Sequence, residues 1–209
     1  MIPNIIHHVW IGPNPLPDIE QSFINSWKKL HTDWQFILWD NDNINNLKIN
    51  DDCKQAIKNS DGLYACQADI IRYIAVNTFG GFYIDTDIEC FRNINSLMSN
   101  DLEFIGLRPH KGNWITNAFF GSTKNNTVLN CLINNISSKK FNSQNPYGPV
   151  FLTKHVSKIF NFKKGQEIDQ PANEKCLILK PDQFWSKDAE NPYCRHLFKA
   201  SWKKKIDVR

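Results

Sequence analysis

Residues 80–87 have the sequence GGFYIDTD, and this stretch determines much of what the sequence predicts about the fold. The two glycines can end a helix, and the apolar residues 82–84 are typical of a buried strand. Asp85 and Asp87 follow directly at the carboxyl end of that strand. Residues two apart on an extended backbone point to the same side, so we expect the two carboxylates to face one point.

The close approach of two aspartates indicates a cation between them, because two like charges otherwise repel each other. Hard divalent ions such as Mg²⁺ and Mn²⁺ prefer oxygen ligands and commonly complete their coordination shell with substrate phosphates. Asp85 and Asp87 therefore predict a metal site that binds a nucleotide diphosphate. The alternative is a pair of surface aspartates that cap a turn, but their position directly after a buried strand favours the metal site.

The segments around this stretch alternate between strand and helix patterns. The predicted strands are at residues 4–10, 34–39, 82–84, 103–108, 115–121, 176–180 and 194–202. The predicted helices are at residues 19–31, 61–79, 125–136 and 149–160. This order favours an α/β fold, a single Rossmann-like domain over residues 1–209 with a mostly parallel central sheet flanked by helices. Such sheets bind ligands beyond the carboxyl ends of their strands.

Asp69 and Arg72 lie three residues apart in the helix predicted over 61–79, so they share one face of it. They could form an ordinary exposed ion pair, which contributes little to stability. They could instead face the same cleft as the acidic pair, because this helix leads into the acidic strand through the Gly-Gly turn. An arginine fork and a carboxylate together suit a ligand with hydroxyl and phosphate groups.

The composition is that of a folded globular protein. The chain has 209 residues, of which 41% are hydrophobic and 12% aromatic, and this aromatic content excludes disorder as the main state. The net charge of +4 permits an anionic ligand. No block of lysine and arginine alternates with aromatic residues, so we expect no nucleic-acid partner.

The cysteine pattern and the apolar runs favour a cytoplasmic protein, in the cytosol of a bacterium or of a virus-infected host. None of the six cysteines forms a C-x-x-C motif, and we expect reduced thiols. The amino-terminal residues lack the features of a signal peptide. No apolar run reaches the length of about 18 residues that a membrane span needs. The lysines at 203–205 allow at most a peripheral contact with an anionic membrane.

The sequence resembles glycosyltransferase family 32, the DXD-containing sugar transferases. The motifs that carry the resemblance are I-H-x-x-W at residues 6–10, A-D-x-x-R-Y at 68–73, G-G-x-Y-x-D-x-D at 80–87, G-P at 148–149 and S-W at 201–202. The resemblance implies a GT-A fold and a metal-dependent hexosyltransferase. Its donor would be a UDP- or GDP-sugar, and its acceptor a hydroxyl of a glycan or glycolipid. The resemblance also implies retention of configuration, with attack by the acceptor on the front face of the sugar.

The resemblance further implies roles for residues that would bind the donor. Trp10 would stack on the nucleotide base, and Tyr83 would lie near the nucleotide. Asp69 and Arg72 would bind hydroxyls of the donor sugar, and Asn117 would lie close to that sugar. Arg72 would also act in catalysis, by neutralising charge that develops on the departing diphosphate.

A second group of residues would hold the metal ion and the diphosphate. The resemblance implies that Asp87 is the main ligand of Mn²⁺ or Mg²⁺, and that Asp85 contacts both the metal and the donor. His196 would complete the metal shell, and its imidazole suits Mn²⁺ somewhat better than Mg²⁺. Ser201 and Trp202 would close over the diphosphate.

Two other functions use some of the same features. A metal-dependent phosphotransferase or phosphatase could use Asp85 as its nucleophile, but its motif would follow a strand near the amino terminus. A non-catalytic sugar-binding module would bind free glycans on aromatic platforms without a metal ion or a nucleotide. Both alternatives remain open at the level of sequence, and transferase chemistry accounts for more of the motifs.

Overall fold

A six-stranded sheet forms the centre of the structure, a computed structural model that describes residues 1–109, 112–137, 146–161, 174–184 and 191–198. The described strands are β1 (Ile5–Val9), β2 (Gln35–Trp39), β3 (Gly81–Ile84), β4 (Ile88–Cys90), β5 (Phe104–Leu107), β6 (Thr116–Ser122), β7 (Cys176–Leu179) and β8 (Cys194–His196). The described α-helices are α1 (Asp18–Leu30), α2 (Asp51–Asn59), α3 (Tyr64–Phe79), α4 (Thr127–Ile133), α5 (Pro149–Ile159) and α6 (Pro181–Phe184). Two short 3₁₀ helices lie at Ile44–Asn46 and Asn95–Leu97.

The order of the strands across the main sheet is β2-β1-β3-β6-β5-β7. β1 is parallel to both β2 and β3, and β5 is parallel to β7. β6 lies antiparallel to β3 and to β5, so five strands run in one direction and β6 runs in the other. This arrangement confirms the predicted α/β fold with a mostly parallel sheet. A separate two-stranded antiparallel sheet pairs β4 with β8.

The alternation of side chains along β3 assigns its residues to the two faces of the main sheet. Phe82 and Ile84 belong to the hydrophobic core that contains Trp27 of α1. Tyr83 belongs to the other core, to which α2, α3, α4 and α5 contribute. Asp85 follows Ile84 and continues the Tyr83 side of the strand, because side chains alternate with a period of two. The strand therefore directs this carboxylate towards α3.

The bounds of most elements differ from the sequence prediction by one to three residues, and two of the differences concern elements that reach the acidic residues. Helix α3 begins at Tyr64 rather than at residue 61, because Gly62 has a φ of 75° and the chain enters the helix only after it. Strand β8 ends at His196, whereas the prediction extended it to residue 202, of which residues 199–202 lie outside the described part. None of the described helices is long and apolar enough to cross a bilayer.

A tight turn at Gly80 and Gly81 joins α3 to β3 and so sets the position of the acidic residues relative to the helix. Gly80 has a φ of 72° and ends the helix, as the sequence predicts. Gly81 has a φ of 99°, and a Cβ at this position would collide with the backbone carbonyl oxygen of Ile5 in β1. Only a glycine therefore allows β3 to pair this closely with β1.

Replacing Gly81 with alanine is expected to lower the free energy of unfolding by about 2–4 kcal/mol, because the new methyl group is strained at positive φ and meets β1. Gly62→Ala is the matched control, since Gly62 also has positive φ but a Cβ added there would meet no atom within 4 Å. The control should lose about 1 kcal/mol. Urea unfolding followed by tryptophan fluorescence measures both, and equal losses would contradict the close-packing argument.

Candidate active site

A cavity of about 470 Å³ opens at the edge of the sheet where β1 and β3 end. It lies beyond the carboxyl ends of parallel strands, where α/β sheets bind ligands. The lining residues come from the loop after β1, the first half of α3, the end of β3, the start of β6 and the end of β8. They include residues 9–14, Tyr64, Ala65, Ala68, Asp69, Arg72, Tyr83, residues 85–87, Asn117, His196 and Phe198.

Arg72 is buried at the base of this cavity and joins three elements. Its Nη2 lies 3.0 Å from Oδ1 of Asp69 on the same helix. Its Nη1 lies 3.1 Å from Oδ1 of Asp85, which follows β3, and donates at 2.7 Å to the carbonyl oxygen of Asn117 in β6. The guanidinium carbon is also 4.3 Å from the centre of the Tyr83 ring. Of the two alternatives that the sequence allows for Asp69 and Arg72, the structure therefore shows a pair buried in the cleft and not an exposed ion pair.

The environment of Arg72 keeps it charged. Burial alone would lower the pKa of Arg72, yet the acidic groups of Tyr83, Asp85 and Asp69 raise that pKa overall. A guanidinium is already protonated at any physiological pH. The site therefore contains one permanent positive charge held against two carboxylates.

Asp69 is fully buried beside Arg72 and has an incomplete set of partners. Its Oδ1 accepts a hydrogen bond of 2.7 Å from Nδ2 of Asn117 and pairs with Arg72. Its Oδ2 is buried and has no hydrogen-bond partner within the described residues. Burial raises the pKa of Asp69 to about 6, against the opposing effect of Arg72. Since Asp69 lines the cavity, the hydroxyl of a ligand can satisfy the second oxygen.

Asp85 is oriented by two donors that both contact its Oδ1. The Tyr83 hydroxyl donates at 2.6 Å, and Arg72 approaches at 3.1 Å. The Asp85 amide also donates at 2.8 Å to the carbonyl oxygen of Ala118, which ties this residue to β6. These contacts leave Oδ2 available to a ligand in the cavity.

Asp85, Asp87 and His196 form a cluster suited to a divalent cation. One ligand atom from each residue lies within 4.8 Å of the other two, and Nε2 of His196 is 3.1 Å from Oδ1 of Asp87. Two hard carboxylate oxygens and one imidazole nitrogen fit Mn²⁺ or Mg²⁺, with the nitrogen favouring Mn²⁺. The sequence prediction of these three residues as metal ligands is thus compatible with their geometry.

The pairing of β4 with β8 brings His196 to the two aspartates. Ile88 lies opposite His196 in this ladder, and the Leu197 amide donates at 3.1 Å to the carbonyl oxygen of Asp87. The Phe198 ring stacks on the imidazole with 3.9 Å between ring centres. A strand far along the chain therefore supplies the third residue of the cluster.

Two adjacent histidines of β1 support β3 from opposite sides of the sheet, His7 where the strand begins and His8 where it ends. His7 bonds to the carbonyl oxygen of Gly80 at 2.9 Å, and His8 bonds through Nδ1 to that of Ile84 at 2.8 Å. Burial lowers the pKa of each to about 4, so both are neutral at physiological pH. Since the β1–β3 ladder itself pairs only at residues 6 and 7 of β1, His8 holds the strand end directly before Asp85.

Trp10 also lines the cavity, and its indole nitrogen donates at 3.0 Å to the carbonyl oxygen of Asn14. The loop that carries Trp10 packs on Tyr64, because a Cβ at Gly12 would lie 3.2 Å from the Tyr64 ring. The predicted residues Ser201 and Trp202 lie outside the described part of the chain.

Sequence reasoning missed two residues that line the site, Tyr64 and Phe198. Because His7 and His8 are adjacent in a predicted strand, the sequence predicts that only one of them is buried, whereas the structure buries both. The sequence does contain a signal for Tyr64. It lies four residues before Ala68, so the two share a face of α3, and Asp69 follows Ala68 directly.

Comparison with known proteins agrees with this site. Residues 17–103 match the family model described as the glycosyltransferase sugar-binding region containing DXD motif. The matched segment includes the residues at the base of the cavity and both aspartates of the metal cluster.

Two curated relatives are glycosyltransferases of viral and fungal origin. An uncharacterized glycosyltransferase of Acanthamoeba polyphaga mimivirus is 29% identical over 69% of this chain and 59% of its own length. Inositol phosphoceramide mannosyltransferase 1 of Schizosaccharomyces pombe is 30% identical over 73% of this chain and 48% of its own length. The chain thus spans only about half the length of the curated relatives it matches.

Among solved structures, the PaToxG glycosyltransferase aligns with a TM-score of 0.58 and 20% identity, covering 77% of this chain and 70% of its own. This likeness shows that the fold is of the GT-A type. Together with the family match, it agrees with a cavity in which an acidic pair, a buried arginine and a histidine converge. Over residues 17–103, the chain matches the family of glycosyltransferases whose sugar-binding region contains a DXD motif.

Proposed function

We propose that residues 1–209 form a single metal-dependent glycosyltransferase domain that transfers a hexose from a UDP- or GDP-sugar to a hydroxyl of a glycan or glycolipid. The observation that carries this proposal is the convergence of two groups in one cavity. Asp85, Asp87 and His196 provide a cation site. Asp69 and Arg72 provide a polar site directly beside it. A nucleotide sugar needs both, since its diphosphate requires a counter-charge and its sugar requires hydroxyl acceptors.

Asp85, Asp87 and His196 would hold Mn²⁺ or Mg²⁺ as the resident cofactor. When bound, the ion supplies positive charge to the diphosphate and so stabilises it as a leaving group. The chain contributes the orientation of the ligands. Tyr83 and Arg72 fix Asp85, and the β4–β8 ladder holds His196 beside Asp87.

Arg72 acts in this proposal mainly by placing other groups. Its Nε donates to the carbonyl oxygen of Ala68 at 3.3 Å, Nη1 serves Asp85 and Asn117, and Nη2 serves Asp69. A guanidinium has five N–H groups, so these contacts leave one on Nη2 for a ligand. That N–H can bind a donor hydroxyl or a phosphate oxygen, while the fixed charge offsets the charge that develops on the departing diphosphate.

Asp69 and Asn117 form the subsite for the donor sugar. The Oδ2 atom of Asp69 is the buried acceptor that lacks a partner within the described residues, and a sugar hydroxyl would provide the missing donor. Asn117 holds the other carboxylate oxygen from β6. The geometry therefore favours a polyhydroxylated ligand over a simple phosphomonoester.

Trp10, which lines the cavity, would stack on the nucleotide base, with Tyr83 near the nucleotide. Ser201 and Trp202 would close over the diphosphate from the carboxyl-terminal side. Retention would follow from attack by the acceptor on the face from which the diphosphate departs.

The proposal also covers the acceptor and the cellular location of the protein. The names of the inositol phosphoceramide mannosyltransferases specify mannose and a lipid acceptor, which supports a glycolipid or glycan acceptor here and a hexose such as mannose. None of the six cysteines belongs to a C-x-x-C motif, which supports reduced thiols and a cytoplasmic location. The basic carboxyl-terminal residues would provide at most a peripheral membrane contact, and no nucleic acid takes part.

Replacing Asp87 with alanine is expected to abolish the Mn²⁺-dependent part of donor binding, because the cluster loses one of its two carboxylates. Isothermal titration with UDP- and GDP-sugars, with and without Mn²⁺, measures this difference. Asp33→Ala, which removes an exposed aspartate from the turn before β2, is the control and should bind as the unaltered protein does. Donor affinity that stays Mn²⁺-dependent in Asp87→Ala would contradict the assignment, and phosphate release from phosphomonoesters would favour the phosphatase alternative.

Replacing Asp69 with asparagine should weaken binding of the nucleotide sugar by about tenfold or more, because a hydrogen bond to a charged group contributes roughly 1.5–3 kcal/mol. The same nucleotide diphosphate without its sugar should keep its affinity within about twofold, since it does not occupy this subsite. Parallel titrations of the two ligands give the ratio. Equal losses for both ligands would show that Asp69 does not contact the sugar.

A further inference from the structure

Cys90 of β4 lies directly opposite Cys194 of β8 in the two-stranded antiparallel sheet. The amide of Phe91 donates at 2.9 Å to the carbonyl oxygen of Tyr193, so the next pair along the ladder is a hydrogen-bonded pair. Hydrogen-bonded and non-hydrogen-bonded pairs alternate along an antiparallel ladder. The two cysteines therefore form a non-hydrogen-bonded pair, the type in which side chains approach most closely.

This register meets the geometric requirement for a disulfide. The Cα atoms of a non-hydrogen-bonded pair lie about 4.5 Å apart, and the Cα atoms joined by a disulfide are usually about 4.4–6.8 Å apart. The bond can therefore form without a shift of the strands.

The pairing distinguishes these two cysteines from the other four. Cys176 of β7 lies opposite Phe104 of β5. The Cys66 thiol lies 3.2 Å from the hydroxyl of Ser60. Within the described strands, only the β4–β8 ladder places one cysteine opposite another.

We propose that Cys90 and Cys194 form a reversible disulfide when the protein meets a low-molecular-weight disulfide such as oxidised glutathione. One cysteine, as its thiolate, attacks a sulfur of the oxidant, forms a mixed disulfide and releases one molecule of thiol. The second cysteine then attacks the protein sulfur of that mixed disulfide and releases a second molecule of thiol. In total, two protein thiols are oxidised to one disulfide and one external disulfide is reduced to two thiols.

Burial controls the rate of this exchange. Cys90 is 4% exposed and Cys194 is fully buried, and the Cys90 thiol contacts the carbonyl oxygen of Arg92 at 3.3 Å. Burial raises the pKa of Cys90 to about 12. The closed pair is therefore unreactive, and exchange requires β8 to separate from β4.

A disulfide between Cys90 and Cys194 would affect the candidate metal site, because both cysteines lie close in sequence to residues of that site. Cys194 lies two residues before His196 in β8, and Cys90 lies three residues after Asp87. The disulfide would close a loop of roughly 100 residues, which restricts the unfolded chain strongly. It would also keep β8 on β4 and so hold the imidazole beside the carboxylate.

The test oxidises the full chain with glutathione disulfide, blocks remaining thiols by alkylation and maps the peptides by mass spectrometry. We expect one cross-linked peptide pair that contains Cys90 and Cys194, with the other four cysteines alkylated. Dithiothreitol should restore six thiols. The oxidised form should unfold at a temperature on the order of 5–15 °C higher than the reduced form. Six alkylated thiols after oxidation, or a cross-link at other cysteines, would overturn the proposal.

Matched variants distinguish the effect of the Cys90–Cys194 disulfide from the effect of oxidation elsewhere in the protein. Cys194→Ala should abolish both the cross-link and the rise in unfolding temperature. Cys176→Ala removes another buried strand cysteine and should leave both effects in place. If Cys194→Ala does not fold, Cys90→Ala gives the same comparison from the other strand. A rise in unfolding temperature that persists in the folded variant would refute the assignment.

A titration with Mn²⁺ distinguishes this inference from the proposed function. Failure of the metal site would appear as no Mn²⁺ binding in either redox form, while the cross-link would still be found. Failure of this inference would appear as six free thiols with Mn²⁺ binding intact. If both hold, the oxidised protein should release Mn²⁺ more slowly than the reduced protein, because His196 is held in place.

Discussion

The buried guanidinium of Arg72 is the interaction on which the rest of the site depends. It holds Asp69 of α3, Asp85 after β3 and the backbone of Asn117 in β6 around one charge. Without that charge, two carboxylates would face each other with no compensation in a largely buried setting, which costs several kcal/mol. The Gly-Gly turn between α3 and β3 makes the arrangement possible, because it brings the helix and the strand end together.

The same site contains groups whose burial is unfavourable in the absence of a ligand. Asp69 has a raised pKa and a buried oxygen with no partner within the described residues. Asp85 and Asp87 add two further carboxylates to the same cavity. The two hydrophobic cores on either side of the sheet offset this cost, and a ligand with a cation and hydroxyl groups would reduce it.

Part of the site could be predicted from local pattern, and part could not. Residues two apart in a strand share one side, and residues three apart in a helix share one face. It was therefore predictable that Asp85 and Asp87 point the same way, and that Asp69 and Arg72 do so too. The role of the Asn117 backbone was not, because it requires β6 to lie antiparallel beside β3. The pairing of Cys90 with Cys194 was also beyond the sequence, since register between distant strands leaves no trace in spacing.

The sequence by itself determined the α/β class, the strand that ends in two aspartates and the helix that presents an arginine. Each of these follows from a repeat of 2 or 3.6 residues, which acts over a few positions of the chain. Only the tertiary structure decided that Arg72 is buried rather than exposed and that His196 stands beside Asp87. Those outcomes depend on strand order and on pairing between segments far apart in the chain, because burial and charge pairing arise from contacts that periodicity does not specify.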